Sequence, residues 1–179
     1  MSKLARALPA LTVLAAVAVA APAFATETNS SVSVTGSMNV TAPLTVAKNA
    51  DLVFGTIMRP TSGTGTVSVD AQNGNRTVTG NATGVTGGSN ATPTRAAFTV
   101  TGDGGMNITV TVPQNMTMTR GGSNPITVAL NSTMGGGQLS GSAGSTGTAN
   151  FGVGGQLTLS NTTPPGAYTG TFTVTVAYN

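Results

Sequence analysis

Residues 164-PPGAYTGTFTVTVAYN-179 decide the fold class. Tyr168, Gly170, Phe172, Val174, Val176 and Tyr178 share one parity, and Thr169, Thr171, Thr173 and Thr175 share the other. That is the period-two signature of a half-buried β-strand. A long apolar strand left at a sheet edge would recruit any extended chain, because its backbone N–H and C=O groups need partners. The stretch therefore predicts a sheet, and something that pairs with its last strand.

Outward from this segment the same alternation recurs. In 32-VSVTGSMNVTAPLTV-46 the even positions carry Val32, Val34, Gly36, Met38, Val40, Ala42, Leu44 and Val46. Fully extended, these residues would span about 50 Å, too long for one ordinary strand, so breaks are expected at Gly36 and Pro43. Next, 50-ADLVFGTIM-58 predicts a strand with Leu52, Phe54 and Ile57 inward and a bulge or close approach at Gly55. Residues 65–80 read as a hairpin around Asn73-Gly74. Further strands are expected at 95–102, 106–113, 115–119 and 125–130, a flexible surface loop at 134-MGGGQLSGSAGS-145, and two short strands around Gly154-Gly155 within 148–159. About ten short strands, with no 3.6-residue apolar rhythm and no repeat of fixed period, predict an all-β, antiparallel β-sandwich.

The first 25 residues, MSKLARALPALTVLAAVAVAAPAFA, hold Lys3 and Arg6, an apolar run, and Ala23-Phe24-Ala25 ahead of Thr26-Glu27-Thr28. This is the pattern of a secretory signal peptide. The apolar run is bracketed by Pro9 and Pro22, too short for the roughly 20 residues that a membrane crossing takes, so no retained span is expected. The protein is expected to be exported, to the periplasm, the cell surface or the extracellular space. The expected organisation is a signal peptide at 1–25, an N-terminal extension at 26–36 and a β-sandwich domain at 37–179.

Beyond residue 25, Lys48, Arg59, Arg76, Arg95 and Arg120 stand against Glu27, Asp51, Asp70 and Asp103, a net charge of +1. No two of the five cations are adjacent, which argues against a nucleic-acid partner, since that requires clustered Lys and Arg. Charged residues are 6% of the chain, against the quarter common in globular domains. There is no cysteine, so the fold must hold through its core or through neighbours.

With neither His nor Cys in the chain, the commonest metal ligands, general bases and thiol nucleophiles are missing. The four carboxylates suggest no facing pair, and the many Ser and Thr residues have no evident base. Asp103 in 102-GDGG-105 reads as turn chemistry rather than a calcium site. Met116 and Met118 read as core filler rather than a Cu(I) site. Gly152, Gly154 and Gly155 have no helix after them and so form no dinucleotide fingerprint. The Asn-x-Ser/Thr triplets at Asn81, Asn107 and Asn131 are expected by chance in so Asn- and Thr-rich a chain. The expectation is a protein that is not an enzyme and takes no cofactor or metal.

ADLVFGTI at 50–57, FGVGGQLTL at 151–159 and PGAYTGTFTVTVAYN at 165–179, in that order behind a signal peptide, resemble a bacterial family of secreted domains of unknown function. That family is similar to the pilus subunits of chaperone–usher systems and to spore coat protein U. The likeness runs from residue 32 to the end. It implies an immunoglobulin-like (pilin-like) sandwich that lacks a strand and takes a neighbour's N-terminal extension beside its C-terminal strand. Its implied partners are further copies or related subunits, a periplasmic chaperone and an outer-membrane usher.

On that resemblance the donor is the segment carrying Val32, Val34, Met38 and Val40. The acceptor groove would lie between a strand at 38–46 and a strand at 167–178 presenting Tyr168, Phe172, Val174, Val176 and Tyr178. The sequence leaves a second arrangement open, in which all of 32–46 is a bent first strand that pairs with the terminal strand of its own domain. Two function classes follow: a structural subunit of a surface fibre or coat that assembles by β-strand addition, or a self-closed adhesin that binds carbohydrate or protein through Asn-rich loops.

Overall fold

Alternating apolar and polar residues, interrupted by glycine-rich turns, give strands and no helix among the described residues. The structure, a computed structural model, describes residues 29–179. The expected signal peptide at 1–25 and the start of the extension at 26–28 lie outside the described residues. Twelve strands follow one another: β1 Thr45–Ala50, β2 Thr56–Met58, β3 Thr64–Val69, β4 Arg76–Gly80, β5 Thr83–Val85, β6 Ala96–Asp103, β7 Asn107–Thr111, β8 Asn115–Arg120, β9 Ser123–Ser132, β10 Gly136–Gln138, β11 Thr146–Ser160 and β12 Thr175–Tyr178. Every pairing is antiparallel, and the fold is an all-β sandwich.

The 15-residue β11 organises the body. Its residues 146–153 pair with β6, and 155–160 pair with β3. The opposite edge takes β9 along 153–157. β1 extends the sheet beyond β6, β4 beyond β3, and β8 beyond β9. A separate three-stranded sheet, in the order β10-β7-β12, packs Ile108, Val110 and Leu139 onto Phe98, Val100 and Phe151. The Phe98 and Phe151 rings stack 5.0 Å apart. A second apolar cluster gathers Val67, Val69, Val128, Leu157 and Leu159 with Phe54 and Met116. Leu52 and Phe172 touch both clusters.

Several expectations are corrected. Residues 148–159 are one continuous strand rather than two, because the glycines mark close approach instead of a break. A Cβ at Gly152 would overlap the Ala71 carbonyl, and one at Gly154 the Val69 carbonyl. The expected flexible loop at 134–145 contains β10, and Leu139 is buried with its N–H donating to Met106 and its C=O accepting from Gly105. The 32–46 alternation forms no strand before Thr45. The expected strand at 50–58 is broken by a register shift between Lys48 and Ala50 and a left-handed Gly55 (φ +74°), leaving an isolated bridge from Val53 to Thr94 and then β2. β5 was not expected at all; among the described residues it pairs only with β2. The 65–80 hairpin forms as β3 and β4, but its turn is a longer loop in which the Asp70 carboxylate accepts from the amides of Gln72 and Asn73 at 2.7 and 3.0 Å.

The chain divides between Met38 and Asn39. Residues 29–38 are exposed and form no strand.

Candidate functional site

The body is left with a long apolar groove of about 980 Å³. One wall is residues 48–59, where the chain leaves its pairing with β6, and the other is residues 163–172. Ala96, Phe98, Leu157, Leu159, Met116 and Met118 supply much of the apolar lining. The two walls run in opposite directions. Arg59 Nη1 donates to the Thr163 carbonyl at 2.9 Å at one end. Beyond the other end the Tyr178 hydroxyl donates to the Ala42 carbonyl at 3.0 Å. Among the described residues no backbone hydrogen bond joins 42–59 to 163–178.

The terminal segment is bonded along one edge. Thr169 exchanges backbone hydrogen bonds with Thr119 at 2.8 and 3.0 Å, and 175–178 pair with β7. The Asn179 amide donates to the Asn107 carbonyl, and the Val110 amide, from the other edge of β7, to Gly135. Strand alternation then directs the backbone groups of Thr175 and Ala177 to β7 and those of Val176 and Tyr178 to the unpaired edge. The strand proper is shorter than the expected 167–178, since pairing with β8 lapses after Thr169, where Gly170 lies against the Thr117 carbonyl.

The expected acceptor residues divide. Tyr168 and Phe172 line the groove, with the Tyr168 hydroxyl donating to the Pro164 carbonyl at 2.9 Å. Val174, Val176 and Tyr178 pack half-buried on the Phe98 cluster. The Tyr178 hydroxyl also accepts the Asp103 amide at 2.7 Å. The wall opposite the terminal segment is 48–59 rather than the expected 38–46, because β1 is held in the main sheet by β6 and the chain swings out only past its bulge. The expected donor side chains Val32, Val34, Met38 and Val40 are 86%, 85%, 86% and 78% exposed. Isolated exposed apolar residues are ordinary; four within nine residues, all on one parity, form a pattern.

Arginines are what the sequence reading missed: Arg59 lines the groove, and Arg76 and Arg120 fasten segments around it. All four described arginines donate to main-chain carbonyls: Arg59 to Thr163, Arg76 to Phe54, Thr56 and Val85, Arg95 to Ala71 and Gln72, and Arg120 to Pro165. Their scarcity and isolation were the available signal. The remaining described cation, Lys48, pairs with Asp51 at 2.6 Å. Asp103 is buried and accepts the Gly144 amide at 2.8 Å, so the GDGG turn is fastened from within. Among the described residues no three His, Cys, Asp or Glu side chains converge, and no helix is long and apolar enough to cross a membrane. The chemistry the groove offers is apolar contact between two rows of backbone.

A family model described as a domain of unknown function, DUF4402, matches residues 44–178. No curated protein and no solved structure matches the chain.

Proposed function

We propose, from the premise that this chain belongs to the DUF4402 family, that it is a secreted structural subunit of a bacterial surface fibre or coat. Residues 32–40 of one copy enter the groove of the next by β-strand addition. The observation that carries this reading is the match between two unsatisfied features. The groove has apolar lining and no backbone hydrogen bond between its walls, and the extension offers exposed apolar side chains at every second position except Gly36. In strand addition the main chain supplies affinity and alternate side chains supply register. The pilin-like resemblance and the expected signal peptide point the same way.

The ends of the groove set the geometry of assembly. Each copy's own extension leaves the body at Ala42, beside Tyr178. A donor strand running parallel to the terminal strand would place its own body at that same end, the arrangement of a closed exchange or of self-insertion. A donor running antiparallel to it places its body at the Arg59 end, which leaves the next extension free. Such head-to-tail contacts propagate into a filament. The fibre reading therefore requires the antiparallel direction.

The test compares the chain without residues 1–25 with one lacking residues 1–40, on gels before and after boiling and by electron microscopy. The longer chain is expected to form a ladder of multimers that collapses on boiling, and the shorter to stay monomeric. Equal assembly of the two would overturn the proposal. The chain has no cysteine, so paired substitutions to Cys at Val32 or Val40 and at Thr163 or Thr173 report the direction of insertion by cross-linking.

A further inference from the structure

We infer that Arg76 is a positioning residue for strand capture: its guanidinium fastens one wall of the groove to the main sheet. This rests on the strand-addition reading. Arg76 lies on β4, opposite Val69 of β3. Its Nη1 donates to the carbonyls of Phe54 and Thr56 at 3.0 and 3.1 Å, and its Nη2 to Val85 at 3.1 Å. One side chain thus ties β2, β5 and the residue before Gly55 to the sheet behind them.

The wall needs such a tie. Past the Val53–Thr94 bridge it consists of β2, three residues long, paired only with β5, also three residues long. Two strands alone are marginal in water, and this pair carries few apolar side chains. Phe54 is the one buried side chain of the wall. A guanidinium is suited to the position because its planar fork can reach several carbonyls at once, with charge-assisted bonds stronger than neutral ones. Space has been left for it: a Cβ on Gly55 would stand 2.8 Å from Nη1, and one on Gly84 2.8 Å from Cζ. Among the described residues no carboxylate pairs with Arg76, and the only salt bridge is Lys48–Asp51.

If the wall is held this way, loosening it removes one of the two rails that an entering strand must bond, while the Phe98–Phe151 cluster stays intact. Lysine keeps the charge but has no fork, so Arg76→Lys separates geometry from charge. Gly84→Ala displaces the guanidinium without altering it, at a position whose backbone lies outside the left-handed region.

The experiment uses the full chain without residues 1–25, as Arg76→Lys and as Gly84→Ala. Amide exchange is read on the monomeric fraction and the multimer ladder on unboiled gels. Both variants are expected to speed exchange at Ile57 and Val85 at least tenfold relative to wild-type monomer, to leave Val100 and Phe151 within twofold, and to reduce the ladder at least tenfold. Unchanged exchange at Ile57 and Val85, or equal acceleration at Val100 and Phe151, would overturn the inference. So would a loosened wall with an undiminished ladder. An undiminished ladder from the chain lacking residues 1–40 instead overturns strand addition, and the exchange result then judges the fastening alone.

Discussion

The half of the body around Phe98 and Phe151 is covered for most of its length by a second layer, with Ala96 and Phe98 reaching the groove, and the half around Leu157 and Leu159 has only part of one. Both halves are built on β11. Its residues 146–153 lie under β7, β10 and β12, whereas 155–160 lie beside the groove. The apolar pattern is the same throughout: Ala149, Phe151, Val153, Leu157 and Leu159 are all buried. What differs is the cover. Around the groove Ile57, Met118, Ile126 and Phe172 stay half-buried. The contrast teaches that the open half lacks backbone rather than hydrophobic side chains, which is the deficit an added strand repairs.

The comparison breaks most severely at Phe151. Phe151→Ala removes a buried ring stacked on Phe98, and is expected to cost about 3–5 kcal/mol, measured by urea or thermal unfolding. Retention of wild-type stability would mean that the covered half is not the stable one. Gly154→Ala tests the strand shared by both halves. Overlap with the Val69 carbonyl is expected to cost about 1–3 kcal/mol by the same measurement. In the open half, Met118→Ala is expected to cost the monomer only about 1 kcal/mol, while weakening the multimer ladder more than it lowers the melting temperature. The smallest effect belongs to Lys48→Ala. Its exposed pair with Asp51 contributes about 0.2–1 kcal/mol at most, and the difference should vanish in high salt.

The strands at 95–102, 106–113, 115–119 and 125–130 were legible because each alternates cleanly and buries one parity, as Ala96, Phe98 and Val100 do. Long-range pairing was not legible. Gly154 reads equally well as a break or as a close approach, and the choice depends on Val69, some 85 residues away. Leu139 in a run of Gly and Ser gave no local sign that Met106 would pair with it. At the site, Phe172 and Tyr168 line the groove, and the wall facing them is 48–59, about ten residues along the chain from the expected 38–46. The bulge after Lys48 lies opposite Phe98 and Ala97 at the start of β6, a pairing the local sequence does not show. The tie from Arg76 to the groove wall was invisible, because its targets are carbonyls, which every residue carries.

The position of β11 in the chain governs the order in which the molecule can mature. The strand that β3, β6 and β9 all require spans residues 146–160, so β3, complete by Val69, waits for more than 70 further residues before its place in the main ladder exists. Contacts so distant along the chain fold slowly, and the interval leaves aggregation-prone edges unpaired. Until β11 is made, three strands with apolar faces wait without the partner that all of them share.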